Sequence, residues 1–80
     1  AEQGDAMAQY NLGIVYDGGE GVPIDHLRAL MWYTISAANW REESFKRRYA
    51  IIKKMTSVDI AKAEAMASEC MSSNYQNCGW

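Results

Sequence analysis

With 80 residues the chain has room for one domain and a small core. Nearly half of its residues are apolar, too many for a disordered chain, and the abundance of Ala, Met, Tyr and Trp beside a single Pro favours helices over a sheet. A net charge of −2 and a pI near 5.2 argue against the strongly basic domain that nucleic acid selects, and no apolar run approaches the roughly 20 residues that would span a bilayer.

The charge is unevenly spread. Residues 1–40 hold five acidic groups against Arg28 and sum to −4, whereas residues 41–54 hold six basic groups against Glu42 and Glu43 and sum to +4. Such a separation suits charged protein surfaces. No signal peptide is visible.

In chain order, the first helix is predicted over residues 5–17. Asp5 is its N-cap candidate, and Ala8, Leu12 and Val15 recur on one face. Met7, Tyr10 and Ile14 make a second apolar stripe, so this helix is expected to pack on two sides. Gly18-Gly19 ends it, because glycine accepts the left-handed conformation that closes a helix. The loop Gly18-Gly19-Glu20-Gly21-Val22-Pro23 is rich in glycine. It has neither a preceding strand nor a Gly-Lys-Ser/Thr ending, so it reads as a tight connection and not as a phosphate loop.

A second helix is predicted over 25–38, capped by Asp25. Its expected buried stripe is Leu27, Leu30, Met31, Thr34 and Ala38, flanked by Tyr33 and Ala37. A third is predicted over 42–54. Glu42 and Glu43 complement the macrodipole at its start and Lys53 and Lys54 at its end. Phe45, Tyr49 and Ile52 are expected to define one face, with Ile51 and Met55 beside it. A fourth is predicted over 57–71, with Thr56 as N-cap, Asp59 three residues on, and Ile60, Ala63, Ala67 and Cys70 on one side. The tail has no period, but Tyr75 and Trp80 are expected to pack back onto the body.

Ala1, Gly4, Ala8, Tyr10, Leu12, Gly13 and Tyr16, then Gly19, Gly21, Val22 and Asp25, then Ala29, Trp32, Tyr33, Ala37 and Ala38 form an ordered pattern. Small residues stand at helix crossings, an aromatic stands on nearly every turn, and a Gly-x-Gly-Val loop precedes a capping Asp. This pattern resembles the Sel1-like repeat, an α/α unit related to tetratricopeptide repeats. The resemblance covers residues 1–38 and implies an all-α superhelix (solenoid) of stacked helical hairpins. Gly13 costs roughly 1 kcal/mol in helix propensity relative to Ala, which makes sense if a side chain there would strike a neighbouring helix.

Residues 39–80 depart from the pattern. Trp40 stands where a glycine would, and Lys46, Arg48 and Tyr49 stand where Tyr, Leu and Gly would. Asp59 nevertheless falls where Asp25 falls, and Ala63 where Ala29 does. The run from Lys54 to Ala63 resembles the ending that often follows the last repeat of this family. The expectation is one structural domain: a repeat at 1–38, then a degenerate C-terminal capping hairpin and tail at 39–80, together closing a longer repeat protein.

For catalysis the chain offers one histidine, His26. Its neighbour Asp25 cannot face it on a helix, so a surface role is the better reading. No cofactor and no metal site are expected. Cys70 and Cys78 have no second pair and do not read as zinc ligands. They are either a disulfide tying the tail to the last helix or two reduced thiols; the disulfide would place the protein in the periplasm or outside the cell.

The resemblance implies a scaffold or adaptor that binds a protein or peptide partner, without catalysis, nucleic acid or membrane insertion. The alternative is a purely structural cap. Helical phase nominates Gln3, Met7, Asn11 and Ile14 on the first helix as partner contacts. On the third it nominates Lys46, Arg47 and Lys54. The open N-terminal face, with Ala1, Met7 and Tyr10, is a candidate for self-association.

Overall fold

The computed structural model describes residues 6–19, 21–39, 41–73 and 78. They form four helices and no strand: α1 (Ala6–Gly18), α2 (His26–Ala38), α3 (Glu42–Ile52) and α4 (Ser57–Ser72). The expected caps at Asp5 and the packing of Tyr75 and Trp80 lie outside the described residues.

Local chemistry sets most helix ends. Asp25 has extended backbone, and its carboxylate accepts from the Arg28 amide at 3.2 Å. Thr56 does the same for the Asp59 amide, also at 3.2 Å. At the end of α1, Gly19 has φ +73°, and its N–H donates to the Val15 carbonyl at 2.8 Å. The Asp25 N–H then donates to the Tyr16 carbonyl at 2.9 Å, fixing the entry of α2 against the exit of α1. Glu42 and Glu43 occupy the first turn of α3, as the dipole favours. That helix stops at Ile52, so Lys53 is its C-cap and Lys54 lies in the following turn.

α2 is the central element and packs against each of the other three helices. Ala29 through Tyr33 and Ile35 through Ala37 are all buried. The narrow stripe expected there is therefore corrected: Leu27 and Thr34 are only half-buried and Ala38 is exposed, because α2 is enclosed on nearly every side. Two apolar clusters result. One joins Met31, Trp32 and Ile35 to Ala67, Cys70 and Cys78, with Leu12 and Tyr16 packed against it. The other joins Ala29, Leu30 and Tyr33 to Ile51 and Ala63, with Tyr10, Ile14 and Ile60 around it. The sulfurs of Cys70 and Cys78 are bonded to each other, which seats Cys78 in the first cluster.

Gly13 allows the α1–α2 approach. A Cβ at this position would lie 2.5 Å from two carbons of the Tyr33 ring, and that ring is fully buried. The small residue is required by its neighbour and not by its own backbone.

α3 is rotated relative to the sequence expectation. Ser44 and Ile51 are its buried residues, and Arg48 lies between them on the inward side. Phe45 is 53% exposed and Tyr49 63% exposed. Both belong to the apolar face that the spacing defines, and that face turns outward. The spacing Ser44, Arg48, Ile51, Met55 is also a continuous helical face, and it fits α2 and α4 better. Ser44 finds a hydrogen-bond partner on α2, and Arg48 donates to Thr34 on α2 and pairs with Glu64 on α4. No helix among the described residues is long and apolar enough to cross a membrane.

Candidate protein-docking site

A polar seam joins the start of α1, the end of α2 and the start of α3. The Ser36 hydroxyl donates to the Ala6 carbonyl at 2.7 Å, and the Ser44 hydroxyl donates to Ser36 Oγ, also at 2.7 Å. Asn39 Nδ2 donates to Gln9 Oε1 at 2.8 Å. Gln9, Ser36 and Ser44 are fully buried, so these bonds satisfy groups that would otherwise be costly to desolvate. The Arg41 N–H donates to the Ser36 carbonyl at 3.1 Å and turns the chain into α3. Sequence reasoning passed over Gln9, Ser36, Ser44 and Asn39. The one available signal was a polar residue inside an otherwise apolar helical stretch, as at Ser36.

Beside the seam, charged and aromatic groups of α1, α2 and α3 meet. Tyr33 donates its hydroxyl to Asp17 Oδ2 at 3.2 Å. Burial, and secondly the charge of Asp17, push the Tyr33 phenol well above its ordinary range, so it stays neutral and acts as a donor. The Tyr10 and Tyr33 rings are 6.0 Å apart and tilted. Arg47 Nε donates to the Tyr10 hydroxyl at 3.3 Å, bridging α3 to α1, and that bond raises the Arg47 pKa further. The Arg41 guanidinium lies over the Tyr10 ring, 5.2 Å from its centroid, and pairs with Glu43 at 2.8 Å. Tyr10 thus sits between two guanidinium groups, one on its ring and one on its hydroxyl.

The nominated contact residues fall in different places. Met7, Asn11, Lys46, Arg47 and Lys54 are exposed, and Ile14 is half-buried against the second cluster. Arg47 meets α1 directly through Tyr10. Lys46 instead lines a hollow with Glu42, Glu43 and Phe45 at the start of α3. Lys54 stands beyond the end of the helix. Gln3 lies outside the described residues. His26 is half-buried in the first turn of α2. Among the described residues no three His, Cys, Asp or Glu side chains converge as a metal ion would require.

The arrangement offers hydrogen-bond donors and cations on the α1–α3 side of a helical body, which is chemistry suited to protein recognition. No curated protein and no solved structure matches the chain. Residues 6–39 match the family model described as the Sel1 repeat. That span runs from the first residue of α1 through the glycine loop and α2 to its C-cap Asn39. Sel1 repeats are a non-catalytic helical repeat fold and generally mediate protein–protein interaction. From α1 to the cap of α2, then, the chain matches the Sel1 repeat, and its paired helices are consistent with one.

Proposed function

We propose that the chain is a protein-docking module whose α1–α3 side takes an acidic segment of a partner protein, with Arg47 and Tyr10 at its centre. The observation that carries this reading is the Arg47–Tyr10 hydrogen bond across the two helices. It holds an exposed guanidinium against α1, so part of the entropy lost on binding is lost already in the free protein. The surplus of bases in residues 41–54 supplies the attraction, and Arg47 offers a fork suited to carboxylates. Met7, Asn11, Ile14, Lys46 and Lys54 are the surrounding contacts, by exposure and helical phase.

A purely structural cap is the less favoured reading. A helix that only ended an array would be expected to turn polar residues outward, and α3 turns Phe45 and Tyr49 outward instead.

Titration of a fluorescent glutamate-rich peptide, followed by anisotropy, tests the proposal. Arg47→Ala is expected to weaken binding about 5- to 30-fold, as loss of about 1–2 kcal/mol implies, and Tyr10→Phe to weaken it less. Equal affinity of wild type and Arg47→Ala would contradict it. The disulfide supports residence in an oxidising compartment, periplasmic or extracellular. Alkylation of the native protein before lysis would contradict that placement if it trapped two free thiols.

A further inference from the structure

Among the described residues three ion pairs neutralise charge near the helix junctions: Arg28 with Asp25, Arg41 with Glu43, and Arg48 with Glu64. Arg47 and Asp17 are not among them. Each is held instead by a tyrosine hydroxyl: Arg47 Nε donates to Tyr10, and Asp17 Oδ2 accepts from Tyr33. The two rings stand 6.0 Å apart, Tyr33 fully buried and Tyr10 half-buried. A pair of phenols thus stands between a guanidinium and a carboxylate that would otherwise neutralise each other. Arg47 is exposed and Asp17 half-buried, so both charges can be reached from outside. They belong to one site: besides the Tyr10 bond, the main influence on Arg47, the charge of Asp17 acts on it through space.

The fold does not need the charge of Asp17. This residue stands in the last turn of α1, where the helix dipole disfavours a carboxylate, and no basic residue of that turn offsets it. An amide oxygen would accept the Tyr33 hydroxyl without that cost.

We infer that the docking side has two poles, and that the partner segment carries a basic side chain for Asp17 close to the acidic one that Arg47 takes. Charge complementarity selects this occupant over a uniformly acidic one, because an acid brought near Asp17 is repelled. The inference rests on reading the α1–α3 side as a docking surface, and it adds Asp17 as the residue that sets which acidic segments are accepted.

Anisotropy titration of two peptides tests it: a glutamate-rich peptide, and the same peptide with two neighbouring glutamates replaced by lysine. Wild type is expected to bind the mixed peptide about 2- to 5-fold tighter, as one exposed ion pair allows. Asp17→Asn keeps an acceptor for Tyr33 and removes only the charge. It should bind the two peptides alike, gaining affinity for the first and losing it for the second, whereas a merely structural role would move both in the same direction. Glu69→Gln removes an acid on α4 and should keep the wild-type preference, which separates the site from net charge. Unchanged helical circular dichroism establishes that Asp17→Asn folds; if it does not, Asp17→Gln replaces it. Arg47→Ala should weaken both peptides and leave the preference in place. Loss of the Arg47 effect therefore strikes the docking reading, and loss of the Asp17 effect strikes this inference alone. A wild type without preference for the mixed peptide, an Asp17→Asn variant that keeps the preference, or a Glu69→Gln variant that loses it would each overturn the inference.

Discussion

α2 and α3 have similar lengths and two large aromatic side chains each, yet they end in different environments. α2 is enclosed by three neighbours, so its burial runs almost without a break from Ala29 to Ala37. α3 packs on the body along the line from Ser44 to Ile51, reaches α1 through Arg47, and keeps Phe45, Lys46 and Tyr49 in water. A central helix has no spare surface and serves stability alone. A flanking helix divides its circumference: the inward line holds the fold, and the rest is free to bind. The Sel1 repeat match stops at Asn39, at the boundary between these two situations.

The comparison can be sharpened from the α2 side. The Cys70–Cys78 bond places Cys78 against Met31, Trp32 and Ile35, so it completes the enclosure of α2 and does nothing for α3. Cys78→Ser is expected to lower stability by about 2–3 kcal/mol, the loss that chain entropy assigns to a loop this short. Urea unfolding monitored by circular dichroism measures it, and peptide binding at the α1–α3 side should be retained in the folded variant. Gly13→Ala is a smaller perturbation. The added methyl meets the buried Tyr33 ring, at a cost of about 1–3 kcal/mol for overpacking, offset by about 1 kcal/mol of helix propensity. A net loss of roughly 1 kcal/mol is expected in the same unfolding measurement. A stabilised Gly13→Ala would show that the Tyr33 ring gives way and that α2 is less tightly held than described.

What was legible in the sequence was local. The Asp25 and Thr56 caps and the turn at Gly19 depend on neighbours within four residues, so composition and spacing suffice to find them. The need for a small residue at Gly13 was also readable, because its propensity cost asks for a reason. The rotation of α3 was not legible because its apolar face, Phe45, Tyr49 and Ile52, is not the one that turns inward, and the inward line through Ser44, Arg48 and Ile51 is half polar. The decision belongs to partners distant in the chain: Ser36 receiving Ser44, and Glu64 and Thr34 receiving Arg48. The docking centre was half visible for a similar reason. Arg47 stood out as a base on a helix surface, but its bond to Tyr10 joins residues 37 positions apart, and no spacing rule reaches that far.

The division of α3 into an inward folding side and an exposed side is tested most directly by one paired comparison, in which Ile51→Ala and Phe45→Ala are each measured for unfolding free energy. Ile51→Ala should cost about 2–4 kcal/mol in stability, as truncation of a buried isoleucine does. Phe45→Ala should change stability by no more than about 0.5 kcal/mol, as exposed positions do. Destabilisation of comparable size in both variants would contradict the account, because it would place Phe45 in the core beside Ile51.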